Sequence, residues 1–250
     1  MAMTAEKTQD RVDYEAFWQG YWNDTTIYGP ACRHRRRNVI KMLGSIPHHR
    51  VLDLGCGDGS LIAECRQALT GTFEGSDISE SALEIARKNV PGIRFYQLDL
   101  MQGSPDTHYD AIVLSEVLEH IKDDEFVLRA IAPSTRHVVI SVPGGPADKV
   151  DKRYGHFRNY PGRDLPDKLE RCGYETVHFY RWGFPLYDLQ QRAAYAEGDW
   201  GSKTMSAGQY STTRKLVAKL VYLAYFLNVS FAGSQVFAIG KSRTFREPEP

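Results

Sequence analysis

The chain has 250 residues, 42% of them hydrophobic, enough for one large α/β domain with appendages. Its formal net charge is zero, so no global field favours a polyanion and nucleic acid is not expected as a partner. Cys32, Cys56, Cys65 and Cys172 lack CxxC or Cys/His ligand spacing, which argues against a zinc site or disulfide framework and fits a reducing cytoplasm.

The opening "MAMTAEKTQD" is polar and carries no apolar signal-peptide core. "DYEAFWQGYWNDTTIYGPACRHRRRNVIKMLGSI" predicts two helical pieces split at Gly29-Pro30, the second amphipathic through Val39, Ile40, Leu43 and Ile46. Next come the strand "RVLDL", the helix "SLIAECRQAL", the strand "TFEGSDI" and a helix from "SESALEIARKNV", with Ser79 or Ser81 as N-cap candidates. The strand "IRFYQLDL", the strand "YDAIVLSEV", the helix "DDEFVLRAIAP" and the strand "HVVISVPG" follow. Such alternation predicts a doubly wound parallel sheet. "YETVHFYRWGFPL" and "SQVFAIGKS" add two strands, the last expected to run antiparallel in a seven-stranded, Rossmann-like α/β sheet.

Residues 187–233 are too long for a bare connection and predict a helical insertion. Their most apolar part, "LVAKLVYLAYFLNVSFAG", is broken by Lys219 and Asn228 and falls short of the ~20 residues of a membrane span. It reads as a core or lid helix, and no membrane partner is expected. The expected organisation is a helical lid over 1–47 and one ligand-binding domain over 48–250.

In "VLDLGCGDGS" three glycines fall within five positions. At the carboxyl edge of an open α/β sheet, Gly55, Gly57 and Gly59 would let the first strand-to-helix turn pass under a ligand. Alone this is a weak signal, because nucleotide-binding folds share it. Three acids sharpen it: Asp53 precedes the turn, Asp77 ends the second strand and Asp99 is expected to end the third. Buried unpaired carboxylates are costly; a ligand with a ribose diol, an exocyclic amine and an amino group would satisfy all three.

The order and spacing of "VLDLGCGDGS", "GSDIS", "QLDL" and "IVLSEVLEHI" resemble the four motifs of class I S-adenosylmethionine-dependent methyltransferases. The resemblance covers roughly residues 50–145. "SEVLEH" and "GHFRNYPGRDLPDKLERCGYE" are most similar to the small-molecule branch that includes ubiquinone-biosynthesis O-methyltransferases. "YGPACRHRRR" and "RWGFPLYDL" are similar to stretches of bacterial enzymes from biosynthetic clusters. The resemblance implies S-adenosylmethionine as cofactor. Asp53, Gly55, Cys56 and Gly57 would lie at its methionine end, Asp77 and Ile78 at the ribose and adenine, Asp99 and Leu100 at the adenine, and Ser115 and Glu116 at the sulfonium side.

His156 and His120 are the candidate bases for a protonated acceptor, and no metal-ligand set stands out. Trp18, Trp22, Tyr28, Tyr160 and Trp182 are candidates for a lid or substrate pocket, with Arg33 of the basic run beside them. The expected function is methyl transfer to an O or N nucleophile of a small molecule, in bacterial secondary metabolism. Two alternatives stay open: intramolecular cyclisation of the cofactor with release of methylthioadenosine, and a non-catalytic cofactor-binding module.

Overall fold

A computed structural model describes residues 13–18, 23–146, 151, 155–196 and 209–247. The apolar runs form one seven-stranded sheet: β1 (Arg50–Leu54), β2 (Thr72–Asp77), β3 (Arg94–Gln97), β4 (Tyr109–Ser115), β5 (Thr135–Pro143), β6 (Tyr174–Trp182) and β7 (Gln235–Ser242). Their order is β3-β2-β1-β4-β5-β7-β6. The first five strands pair in parallel, and β7 lies antiparallel between β5 and β6. The chain reverses its winding between β1 and β4, so the strand ends there diverge and leave a crevice.

Helices α1 (Tyr14–Trp18), α2 (Asn23–Tyr28), α3 (Pro30–Leu43), α4 (Ser60–Ala68), α5 (Glu80–Asn89), α6 (Asp124–Ile131), α7 (Asp164–Arg171), α8 (Leu186–Ala196) and α9 (Thr212–Ala224) surround the sheet. Central strands covered on both sides must be apolar on both faces. Val51 joins a core with Val39, Leu43 and Ile62, whereas Leu52 and Leu54 join another with Leu128, Ile131 and Leu165. By strand alternation Asp53 shares the Val51 face.

Ser79, not Ser81, caps α5: its hydroxyl accepts the Ala82 amide at 3.2 Å. Asp123 caps α6 by accepting the Phe126 amide at 2.9 Å. Both side chains satisfy amides that the first helical turn leaves open.

Before Gly29 the described residues hold α1 and α2, and two expectations need correction. Helix α3 is part of the core, with Val39 and Leu43 fully buried, so only the chain before Gly29 remains a candidate lid. Strand β3 stops at Gln97, leaving Asp99 in the turn beyond it. Among the described residues the insertion contains α8 and α9, with α9 packed on α3. Between these helices His34 contacts Trp182, Tyr222, Tyr225 and Phe226, ring centroids 4.5–5.6 Å away. Among the described residues no helix is long and apolar enough to cross a membrane.

Candidate active site

The glycine turn after β1 is the floor of the site. Gly55, Gly57 and Gly59 have φ of 78°, 52° and 75°, a region that side chains disfavour. The amides of Gly55 and Cys56 donate to the Ser76 carbonyl at 2.8 and 2.9 Å, tying the turn to β2. A Cβ on Gly55 would stand 2.5 Å from Val117 Cγ2, and one on Gly57 2.7 Å from the Trp18 ring. Side chains are excluded here because other groups press on the backbone.

A cavity of about 430 Å³ opens over this floor. Gly55, Asp77, Ile78, Asp99, Leu100 and Glu116 line it, along with Tyr14, Trp18, Val117, His120, Met101, Gly155 and Phe157. Asp77 is 9% exposed. Its carboxylate accepts the Gly57 amide at 2.9 Å and the Ser79 amide at 3.0 Å. Burial nonetheless raises its pKa, against the pull of those amides. The Asp99 carboxylate accepts the Met101 amide at 2.9 Å, which keeps it on the cavity rim.

Asp53 lies below this wall, 4% exposed. Burial, then the charges of Asp77 and Asp58, push its carboxyl up to about 7. A cationic group above three clustered carboxylates would relieve that repulsion. Cys56 is buried, and burial raises its thiol well above the ordinary value; it packs under the turn.

Glu116 follows β4 with a left-handed backbone, φ 58°. A non-glycine residue held there implies local strain, of a kind that clusters at functional sites. Its carboxylate pairs with Arg35 at 2.5 Å and accepts Gln235 Nε2 at 2.7 Å. Burial disfavours the charge on Arg35, but the Glu116 carboxylate overrides it and raises the pKa. Ser115 sits behind, its hydroxyl 2.9 Å from that of Ser141.

His120 is on the cavity wall, whereas His156 packs edge-to-face behind it, ring centroids 4.6 Å apart. His156 Nδ1 is 3.8 Å from the Asp151 carboxylate. Glu119 is fully buried beside the pair, neither of its carboxylate oxygens has a hydrogen-bond partner among the described residues, and burial, reinforced by Glu116, raises its pKa far above the ordinary value. Ligand atoms of Glu119, His120 and His156 lie within 4.8 Å of one another, an arrangement able to hold a metal ion. The sequence reading missed this cluster because His156 is remote in sequence and the Phe157 amide, donating to the Glu119 carbonyl at 2.7 Å, brings its loop in.

Of the described aromatic candidates only Trp18 reaches the cavity, joined by Tyr14. Glu15 holds α1 there by accepting the Glu80 and Ser81 amides at 2.8 and 3.0 Å. Tyr28 and Arg33 are turned toward the α9 region, Tyr28 beneath Lys215 and Arg33 over Tyr222. Tyr160 is 1% exposed and donates its hydroxyl to Asp124 at 2.5 Å, and Trp182 is 4% exposed in the aromatic core. Neither lines the cavity. Trp22 lies outside the described residues. Of the basic run, Arg35 rather than Arg33 meets Glu116 at the site edge, and Lys122 also lines the cavity.

The methyltransferase-domain family matches residues 29–179. The chain belongs to the class I S-adenosylmethionine-dependent methyltransferases. A ubiquinone biosynthesis O-methyltransferase of Hydrogenovibrio crunogenus is 29% identical over 133 residues, 50% of this chain and 52% of that protein. The chain thus spans about half the length of this relative. Among solved folds, magnesium protoporphyrin IX methyltransferase from Synechocystis, with bound S-adenosylhomocysteine, superposes with TM-score 0.51 at 21% identity, covering 88% of this chain and 86% of that one. An N-methyltransferase from Bradyrhizobium japonicum, also with S-adenosylhomocysteine, gives 0.54 at 15% identity, covering 86% and 88%. The methyltransferase shares their fold, and S-adenosylmethionine is its family's cofactor. The site fits that cofactor on two structural grounds: a glycine cradle that no side chain could share, and a buried Asp53 carboxylate with no hydrogen-bond partner among the described residues.

Proposed function

We propose that this methyltransferase moves a methyl group from S-adenosylmethionine to an oxygen or nitrogen of a small molecule in bacterial secondary metabolism. The cavity at the β1/β4 switch point supports this most directly, because Asp77 and Asp99 flank the glycine cradle while His120 faces the same space. Asp77 and Asp99 would hold the ribose hydroxyls and the adenine, and Asp53 the amino group. When bound, the cofactor supplies an electrophilic methyl on a sulfonium. The chain's own task is then to orient an acceptor and exclude water. Tyr14 and Trp18 do the excluding. His120 takes the acceptor's proton where the acceptor carries one, and His156, steadied by Asp151, holds the His120 ring from behind.

Mass spectrometry of the protein incubated with S-adenosylmethionine, with and without bacterial metabolite extracts, tests the proposal. Acceptor-dependent S-adenosylhomocysteine and a product heavier by one methylene support it. Methylthioadenosine without an acceptor would instead mean cyclisation, and neither product would mean a binding module.

A further inference from the structure

Helix α9 carries Leu216, Leu220 and Leu223, with Leu227 in the turn after it; these four leucines are 53–74% exposed. Their 4-3-4 spacing places them in a stripe about 60° wide. Val217 and Phe226 widen it, and Phe231 beyond is 81% exposed. Soluble proteins rarely leave so continuous an apolar face uncovered.

The charge around it is one-sided. Neither residues 30–43 nor residues 209–234 contain an acidic residue, although the whole chain is neutral. Lys219 is exposed within the stripe's border, and Arg37 of α3 lies over the Phe226 ring at 4.5 Å. Arg33 over Tyr222 at 3.8 Å continues the cationic border, while Lys215 is paired with Asp24 at 3.6 Å. Pairing with a second copy would bring the exposed cations Arg37 and Lys219 of two such borders together.

We propose that α9 docks the protein on an anionic phospholipid surface, with the leucine stripe in the acyl boundary and Arg37 and Lys219 at the headgroups. Leucines on one face and cations beside them are what such interfacial helices need, and the contact proposed is peripheral, since among the described residues no helix is long and apolar enough to span a membrane. The catalytic proposal and this one stand independently, because the stripe lies outside the residues lining the cavity.

Flotation of the full chain with vesicles tests it, comparing phosphatidylcholine alone with an equal mixture of phosphatidylcholine and phosphatidylglycerol. The expected result is binding to the mixed vesicles, weakened by salt and about tenfold or more weaker on phosphatidylcholine alone. Leu220→Glu with Leu223→Glu should abolish it. Arg37→Glu with Lys219→Glu, which leaves the leucines untouched, should weaken it at least about 25-fold. Circular dichroism and cofactor affinity should stay unchanged in both variants. Absence of binding by the wild type, equal binding to both vesicle types, or full binding by the charge-reversed variant would overturn the proposal. A dimer in sedimentation velocity that Leu220→Glu dissociates, without vesicle binding, would assign the stripe to a second copy and overturn it as well.

Discussion

Replacing Asp53 with Asn should change how stability depends on pH. In the ligand-free protein the Asp53 carboxyl rises from 3.8 to about 7, through burial and the nearby Asp77 and Asp58. A raised acid pKa means that the folded state keeps a proton which the unfolded chain has released. Stability therefore falls as pH rises from about 4 through about 7, by about 4 kcal/mol in all, and levels off above. Asp53→Asn keeps the side chain's size and removes the titration. Urea unfolding of the ligand-free wild type and variant should show their stability difference shifting by about 4 kcal/mol toward the variant between pH 4 and pH 8. The groups common to both proteins cancel in that difference. Parallel stability profiles would refute the reasoning and show Asp53 to be ionised in the folded protein. On the same logic, a cofactor ammonium above Asp53 should drive a proton off it near pH 7, seen as buffer-dependent binding heat in calorimetry.

Asp77→Asn should weaken cofactor binding by about tenfold or more, because a charged acceptor becomes a neutral one; calorimetry giving an unchanged affinity would remove Asp77 from the site. The Trp18 ring packs on Gly57, so saturating S-adenosylhomocysteine should change tryptophan fluorescence in the wild type and much less in Trp18→Phe. His120→Ala should lower turnover by about 10²- to 10⁴-fold with cofactor affinity intact, and His156→Ala should cost less, since it acts through His120; equal losses would put His156 at the acceptor. Burial of His34 lowers its pKa from 6.5, with its Nε2 placed 2.8 Å from the Tyr222 carbonyl. A lowered histidine pKa makes the folded state resist protonation, so stability should be lost as pH falls below that value, and His34→Gln, followed by thermal melts across that range, should show a smaller loss.

The alternation of apolar strand and amphipathic helix, the glycine turn and the acids after β1 and β2 were all legible in the sequence. Each is a local pattern: a strand's apolar run, a turn's need for glycine and an acid at a strand end are set by neighbours a few residues away. The cofactor class came from the resemblance that the order and spacing of these motifs carry. What the sequence could not settle was which of several aromatic and ionisable side chains face the cavity. Trp18 and Tyr160 look alike as aromatic residues outside the strands, yet Trp18 meets the glycine floor while Tyr160 is buried on Asp124. Arg33 and Arg35 sit two positions apart on one helix, and only the packing of α3 between β5 and α9 sends Arg35 to Glu116 and Arg33 to Tyr222. The meeting of Glu119 with His120 and His156 depends on a loop folding back across the sheet's carboxyl edge. Sequence spacing determines which face of its own element a side chain occupies; only the packing of one element on another decides what that face meets.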